Sequence, residues 1–235
     1  MKKFCVSEKV FEQMPTYCIG VLVAEGIDNA HSCSAIAQML EEQIGNFSER
    51  FAYDNVREIQ NIKAFRDAFT KLGMNPNKFM CSIEALAKRV QKNGQLPSIN
   101  PLVDLGNAFS LKYVLPIGAH DIDNMEGDFE VRFSSDLDLF QGMGETQSEP
   151  MPEGELVYVS ANQVKTRRWI WRQSEDGKIT ENTTNIFIPI DGFSDINKES
   201  VLQAQDELAH FLESQFGVSV KTGFIDIKQP EIELL

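Results

Sequence analysis

Hydrophobic positions follow two different periods along the chain. Residues 16–24 (TYCIGVLVA) form an unbroken run rich in β-formers, the pattern of a buried strand, and Glu25-Gly26-Ile27-Asp28-Asn29 reads as the loop after it. Residues 34–44 then place Ile36, Met39, Leu40 and Ile44 on one helical face. The same period predicts a helix over 62–72, through Ala64, Phe65, Ala68, Phe69 and Leu72, stopped by Gly73. After the turn at 74–77, a third helix is expected over 82–90, with Ser82 as its N-cap and Gly94 past its end. Its stripe Ile83, Leu86 and Val90 faces a core, and Lys88, Arg89 and Lys92 face water or a partner. Asn100-Pro101 opens a fourth helix, because Asn caps well and proline has no N–H to lose in the first turn. Leu102, Leu105 and Phe109 share one of its faces, while Asp104 and Asn107 share another. Polar groups on so apolar a helix belong to a buried hydrogen-bond network or point into a cavity.

Beyond residue 120 the period shortens. Strands are expected at 129–133, 156–159, 168–171 and 185–190, with an exposed Gly- and Pro-containing loop over 142–155. In the strand expected at 168–171, alternation puts Arg168, Ile170 and Arg172 on one face, and Arg167, Trp169 and Trp171 on the other. A last helix spans 198–216, with Val201, Leu202, Leu208, Phe211 and Leu212 inward and Gly217 ending it, and 218–227 reads as a final strand. Helices first, strands in the middle and one helix behind make an α+β domain around mixed or antiparallel strands, with no internal repeat.

Composition narrows the chemistry. The 235 residues are 42% hydrophobic and 24% charged, enough for a full core. No run of 18 apolar residues spans a membrane, and the opening MKKFCVSEK lacks a secretory leader, so a cytoplasmic protein without membrane contact is expected. Cys5, Cys18, Cys33 and Cys81 and the three histidines (His31, His120, His210) show no metal-ligand spacing, so reduced thiols and no metal are expected. Phosphate loops, dinucleotide fingerprints and nucleophile elbows are missing too. A net charge of −13 argues against DNA or any broad nucleic-acid groove. The charge is uneven, however: 121–155 is strongly acidic, whereas 165–172 carries Lys165, Arg167, Arg168 and Arg172, so a small local RNA contact stays open.

Two stretches carry a resemblance. The first is SINPLVDLGN at 98–107, continuing to PIGAHDID at 116–123; the second is ITENTTNI at 179–186. Together they resemble the tRNA-editing domain of the phenylalanyl-tRNA synthetase beta chain, which reads IN-x-VVD-x-x-N, then QPLHAFDLD, then V-T-E-E-T-x-N-I. Asn100, Val103, Asp104, Asn107, Pro116, Ala119, Asp121 and Asp123 fall on matching positions. The run RRWIWR at 167–172 is similar to that of free-standing members. Gly118 stands where the synthetase has its histidine, with His120 two places on, and Trp171-Arg172-Gln173-Ser174 replaces its Gly-Gly-Glu-His-Ser.

The resemblance covers 65–193, within a single domain that adds an N-terminal extension (1–64) and a C-terminal helix and strand (194–235). It implies an editing-domain-like layered fold with a central β-sandwich. The implied activity is hydrolysis in trans of the ester on mischarged tRNA, without metal or cofactor, through a small contact with the tRNA acceptor end. The residues carried over as catalytic are His120, Asn107 and Asp104; those for substrate binding are Asn100, Pro116, Gly118, Asp121, Asp123, Arg168, Trp171 and Arg172. A module that binds tRNA or an aminoacyl group without turnover is the alternative. Hydrolysis of a small aminoacyl or peptidyl ester is a third reading.

Overall fold

A computed structural model describes residues 2–234. Its elements run β1 (Lys3–Val6), α1 (Glu8–Gln13), β2 (Tyr17–Ala24), α2 (Ser34–Arg50), α3 (Gln60–Lys71), α4 (Ser82–Asn93), α5 (Pro101–Tyr113), β3 (His120–Asp121), β4 (Phe129–Phe133), β5 (Leu139–Phe140), β6 (Glu149–Pro150), β7 (Leu156–Ser160), β8 (Gln163–Arg167), β9 (Arg172–Gln173), β10 (Ile186–Phe193), α6 (Lys198–Phe216), β11 (Val220–Ile225) and β12 (Glu231–Glu233). This is the α+β arrangement expected from the sequence. One sheet has the order β12-β1-β4-β7-β8-β5-β6, with β9 also on β8; the other has the order β11-β2-β10-β3. The smaller sheet is antiparallel throughout, whereas β1–β4 and β5–β8 are parallel pairs within the larger one.

Strands β2 and β10 are buried along their whole length, which is why they read as continuous apolar runs. One face of this pair meets α6 at two glycines. A methyl group at Gly20 would lie 2.9 Å from Val201, and one at Gly192 would lie 2.4 Å from the same side chain. Only residues without a Cβ let the helix come this close. The opposite face meets the larger sheet: Phe187 of β10 packs on Phe4 of β1 and Phe129 of β4, with ring centroids 4.6 and 5.2 Å apart. The two sheets and α6 thus form a layered sandwich.

The helices follow their stripes and caps. Asn100 accepts a 3.0 Å hydrogen bond from the Val103 amide, with Pro101 first in the helix, as expected. The cap of α4 is Cys81 rather than Ser82, which is already helical. Lys88 is also placed differently from a solvated face. It reaches back one turn to Glu84, which is fully buried and held by Arg66 as well, at 2.6 and 2.8 Å. The loop expected over 142–155 contains a short strand, β6, paired with β5. Among the described residues, no helix is long and apolar enough to cross a membrane.

The strand expected over 168–171 is instead the turn between β8 and β9. Arg168 and Trp169 have positive φ angles of 49° and 62°, so face alternation stops at Arg167. The turn exists to bury Trp169, which is wholly enclosed between Phe65, Phe69, Tyr17 and Phe193. Core packing of that indole offsets two unfavourable backbone conformations, each costing about 1–3 kcal/mol.

Candidate functional site

After α5, the chain returns along the edge of the smaller sheet. Ile117 bridges to Ile190, the Gly118 amide donates to the Pro189 carbonyl at 3.1 Å, and His120 pairs with Phe187. This lays Pro116, Gly118 and His120 along one wall of a cavity of about 180 Å³. Pro189 and Asp191 come from β10, Tyr158 and Thr166 from the larger sheet, Ile170, Trp171 and Gln173 from the β8–β9 hairpin, and Ser82 from the start of α4. An amide–carbonyl bond of 2.9 Å from Ser82 to Ile170 joins the last two groups.

Asp191 is the one buried carboxylate in this wall. Its Oδ1 accepts from Tyr158 Oη at 2.7 Å, from Trp169 Nε1 at 3.2 Å and from the Tyr17 hydroxyl. All three bonds converge on one oxygen, leaving Oδ2 outside the set. Burial raises the Asp191 pKa from the ordinary 3.8 to about 6, against the three donors, which pull it down. The two phenol groups are held well above their usual range, first by burial and then by the neighbouring carboxylate, so they remain donors. A carboxylate poised near neutrality in a hollow is a candidate acid or base.

His120 is of the opposite kind. Its ring is buried among Phe129, Tyr158 and Phe187, and its Nδ1 has no hydrogen-bond partner. Burial foremost, then the Lys165 charge, lowers its pKa from 6.5 to about 3. The imidazole is therefore neutral at physiological pH, able to orient a group but not to hold a positive charge. A Cβ at Gly118 would stand 3.7 Å from His120 Nε2, so side chains at 118 and 120 converge on the same space. Gln173 fixes this loop by donating from Nε2 to the Ala119 and Gly177 carbonyls at 2.7 and 2.8 Å.

The remaining sequence candidates are divided among other places. Asn100 and Asp104 line a second hollow of about 240 Å³, together with Asn29, Cys33 and Glu181. There Asp104 accepts from Ser98 Oγ at 2.5 Å and the Ile99 amide at 2.9 Å, which fastens the entry to α5. Asn107 is half-buried on α5 and lines neither hollow. His120, Asn107 and Asp104 are therefore not brought together. Asp121 accepts from Thr183 Oγ1 at 2.7 Å, and the Asp123 carboxylate from Asn185 Nδ2 at 2.9 and 3.1 Å. The two motif stretches thus lock onto each other through these aspartates.

The basic run has partners of its own. Lys165 pairs with Asp176, Arg167 with Glu149 and Glu155, Arg168 with Glu155, and Arg172 with Glu145. Three of those acids come from the acidic stretch, so the basic run is neutralised in the fold. Arg168 and Arg172 lie outside the His120 cavity, and the reason is the turn that breaks strand alternation.

Sequence reasoning missed Asp191, Tyr158 and Gln173. One signal was present for the first: an aspartate inside the run IFIPIDGF, whose neighbours are otherwise apolar. Tyr158 and Tyr17 read simply as strand formers. Among the described residues, no group of three His, Cys, Asp or Glu side chains is placed to hold a metal. Burial keeps the Cys18 and Cys81 thiols protonated by pushing both up to about 12.

The B3/4 domain model matches residues 64–216. No curated protein matches significantly. Among solved structures, the chain is similar to an N-terminal fragment of the phenylalanyl-tRNA synthetase beta subunit from Pyrococcus horikoshii. The TM-score is 0.50 and the identity 13%, over 92% of this chain and 49% of that one. The chain therefore spans about half the length of that fragment and shares its fold. With most of its length inside the matched region, the chain belongs to the B3/4 domain family, as a relative of the domain found in the phenylalanyl-tRNA synthetase beta chain.

Proposed function

We propose that the protein hydrolyses the ester of a mischarged tRNA in trans, with the His120–Asp191 cavity receiving the amino-acid side chain end of the substrate. The observation that carries this reading is a buried carboxylate with a pKa near neutrality sharing one hollow with a neutral imidazole. A cavity of about 150 Å³ holds a benzene ring. The present one, at about 180 Å³, is sized for one amino-acid side chain and little more.

In this reading Asp191 is ionised at pH 7 and takes a proton from a water molecule as the water attacks the ester carbonyl carbon. The tetrahedral intermediate then collapses, the carbon–oxygen bond to the ribose breaks, and the departing oxygen takes up a proton. Tyr17, Tyr158 and Trp169 hold the carboxylate in place. His120, kept neutral, orients the water or the carbonyl, in the space beside Gly118. The polar side chains of Ser82, Thr166 and Gln173 supply further hydrogen-bonding capacity in the wall. No metal or cofactor enters the scheme. Asn107 and Asp104, carried over as catalytic by the resemblance, have no step here, and tRNA contact is confined to the acceptor end.

The test is release of amino acid from a panel of mischarged tRNAs by purified protein, with Asp191→Asn and His120→Gln in parallel. Removal of a general base lowers rates about 10²–10⁴-fold. Turnover by the wild type, lost in Asp191→Asn, is the expected outcome. One observation favours a second reading, binding without turnover: the arginines that would grip phosphates are already paired with carboxylates. Measurable affinity for aminoacyl-tRNA with no release across the panel would establish that reading instead.

A further inference from the structure

We propose that Phe79, Arg168 and Trp171 form a stacking site for the terminal nucleobase of the substrate, at the mouth of the His120–Asp191 cavity. This rests on the editing reading above. The Arg168 guanidinium lies 4.0 Å from the Phe79 ring centre and 5.0 Å from that of Trp171, while the two rings meet edge-on at 5.0 Å. Both rings are only partly buried. Trp171 also lines the cavity, so the cluster and the hollow share a wall. Phe79 lies just ahead of Ser82, whose amide is tied to Ile170 in the same hairpin.

Two observations, and one consequence of the editing reading, select a base rather than a phosphate. The Arg168 charge is already met by Glu155 at 2.6 Å and its side chain is only 17% exposed, so the guanidinium packs among the rings rather than reaching out for a phosphate. The partly buried Phe79, with Lys78 Nζ also 5.1 Å from its ring centre, and Trp171 are what remains for a ligand to touch. The surrounding run is neutralised in the same way, and the whole chain carries −13. Finally, the cavity takes one side chain, so the sugar and base of an aminoacyl ester seated there must lie outside it, against whatever forms the rim. Aromatic rings and arginine planes are what unstacked bases pack on, with little demand on sequence.

The turn that carries Arg168 also reaches a carboxylate of the cavity wall. Arg168 and Trp169 adopt their positive φ angles side by side, Trp169 donates to Asp191, and Trp171 follows two residues later. One strained turn therefore sets both the base platform and the orientation of the acid. That coupling gives a reason for tolerating two such residues in succession.

The experiment titrates full-length protein with adenosine and with the trinucleotide cytidylyl-cytidylyl-adenosine, followed by calorimetry and by tryptophan emission. The variants are Phe79→Leu and Trp171→Phe, with circular dichroism to confirm folding. Saturable binding is expected, with quenching of the partly exposed Trp171. Phe79→Leu should weaken it on the order of 5- to 150-fold, the range for loss of one base–aromatic stack. Should Trp171→Phe fail to fold, Phe79→Leu carries the test by itself. Absence of binding, or equal affinity in wild type and Phe79→Leu, overturns the proposal. Mischarged-tRNA release measured on the same samples separates the two claims. Phe79-dependent adenosine binding without release sinks the hydrolytic reading and leaves the stacking site standing; release that Phe79→Leu leaves intact does the reverse.

Discussion

Asp191→Asn separates what the buried carboxylate does for chemistry from what it does to stability. The folded protein raises this pKa from 3.8 to about 6. Between those values the folded state holds a proton that the unfolded state has lost, so stability is full below pH 3.8 and declines as pH rises through 6. Two units at 1.36 kcal/mol each give a deficit of about 3 kcal/mol, complete above neutrality. Asparagine keeps an oxygen to accept from Tyr17, Tyr158 and Trp169, and it does not ionise. Urea unfolding of both proteins from pH 4 to pH 8 should therefore show the stability difference moving by about 2 kcal/mol in favour of the variant as pH rises, the remainder lying below pH 4. The same variant should lose amino-acid release. A difference that stays flat with pH would show that Asp191 titrates normally, and the argument for a poised base would go with it. A native carboxylate whose ionisation is disfavoured by about 3 kcal/mol in the fold is of the kind retained for function.

Three further outcomes are expected. His120 should stay neutral from pH 8 to pH 5 by proton NMR of its imidazole; because its pKa falls from 6.5 to about 3, the stability it supports is full above 6.5 and drains by about 5 kcal/mol as pH falls through 3, so His120→Gln should flatten acid unfolding. Gly192→Ala, whose methyl would lie 2.4 Å from Val201 and 2.8 Å from Asn197, should cost about 1–3 kcal/mol, and combining it with Val201→Ala should cost less than the sum of the two singles in urea melts. Arg66→Met leaves the fully buried Glu84 with Lys88 alone and should destabilise by about 3–5 kcal/mol, most of which Glu84→Gln in the same chain should restore.

The long elements were legible because each presents a full period of its own. The runs of β2 and β10, the stripes of α3 and α4, and the cap of α5 were all readable before any coordinates. Strands β3, β5, β6 and β9 have two residues each and carry no period, so no pattern could announce them. The stretch 168–171 misled because charged and aromatic residues alternate there as on a strand, while tertiary burial of Trp169 forces a turn. A third of the residues lining the candidate site were readable through the resemblance, namely Pro116, Gly118, His120 and Trp171. Asp191 was not, since its role depends on Tyr17 and Tyr158, which lie 174 and 33 residues away. Pairing of the acidic stretch with the arginines was likewise a long-range event that charge counting alone does not expose.

The placement of β1, β2, β11 and β12 has a practical consequence for anyone cutting this gene. All four lie outside the segment matched by the family model, yet β2 is an interior strand of the smaller sheet and β1 an interior strand of the larger one. A fragment trimmed to 64–216 would expose one long edge of β10 and one of β4, with unpaired amides on each. Such a fragment should aggregate on expression. Pairing β1 with β4 and β2 with β10 joins segments far apart in sequence, a topology of high contact order that favours slow assembly.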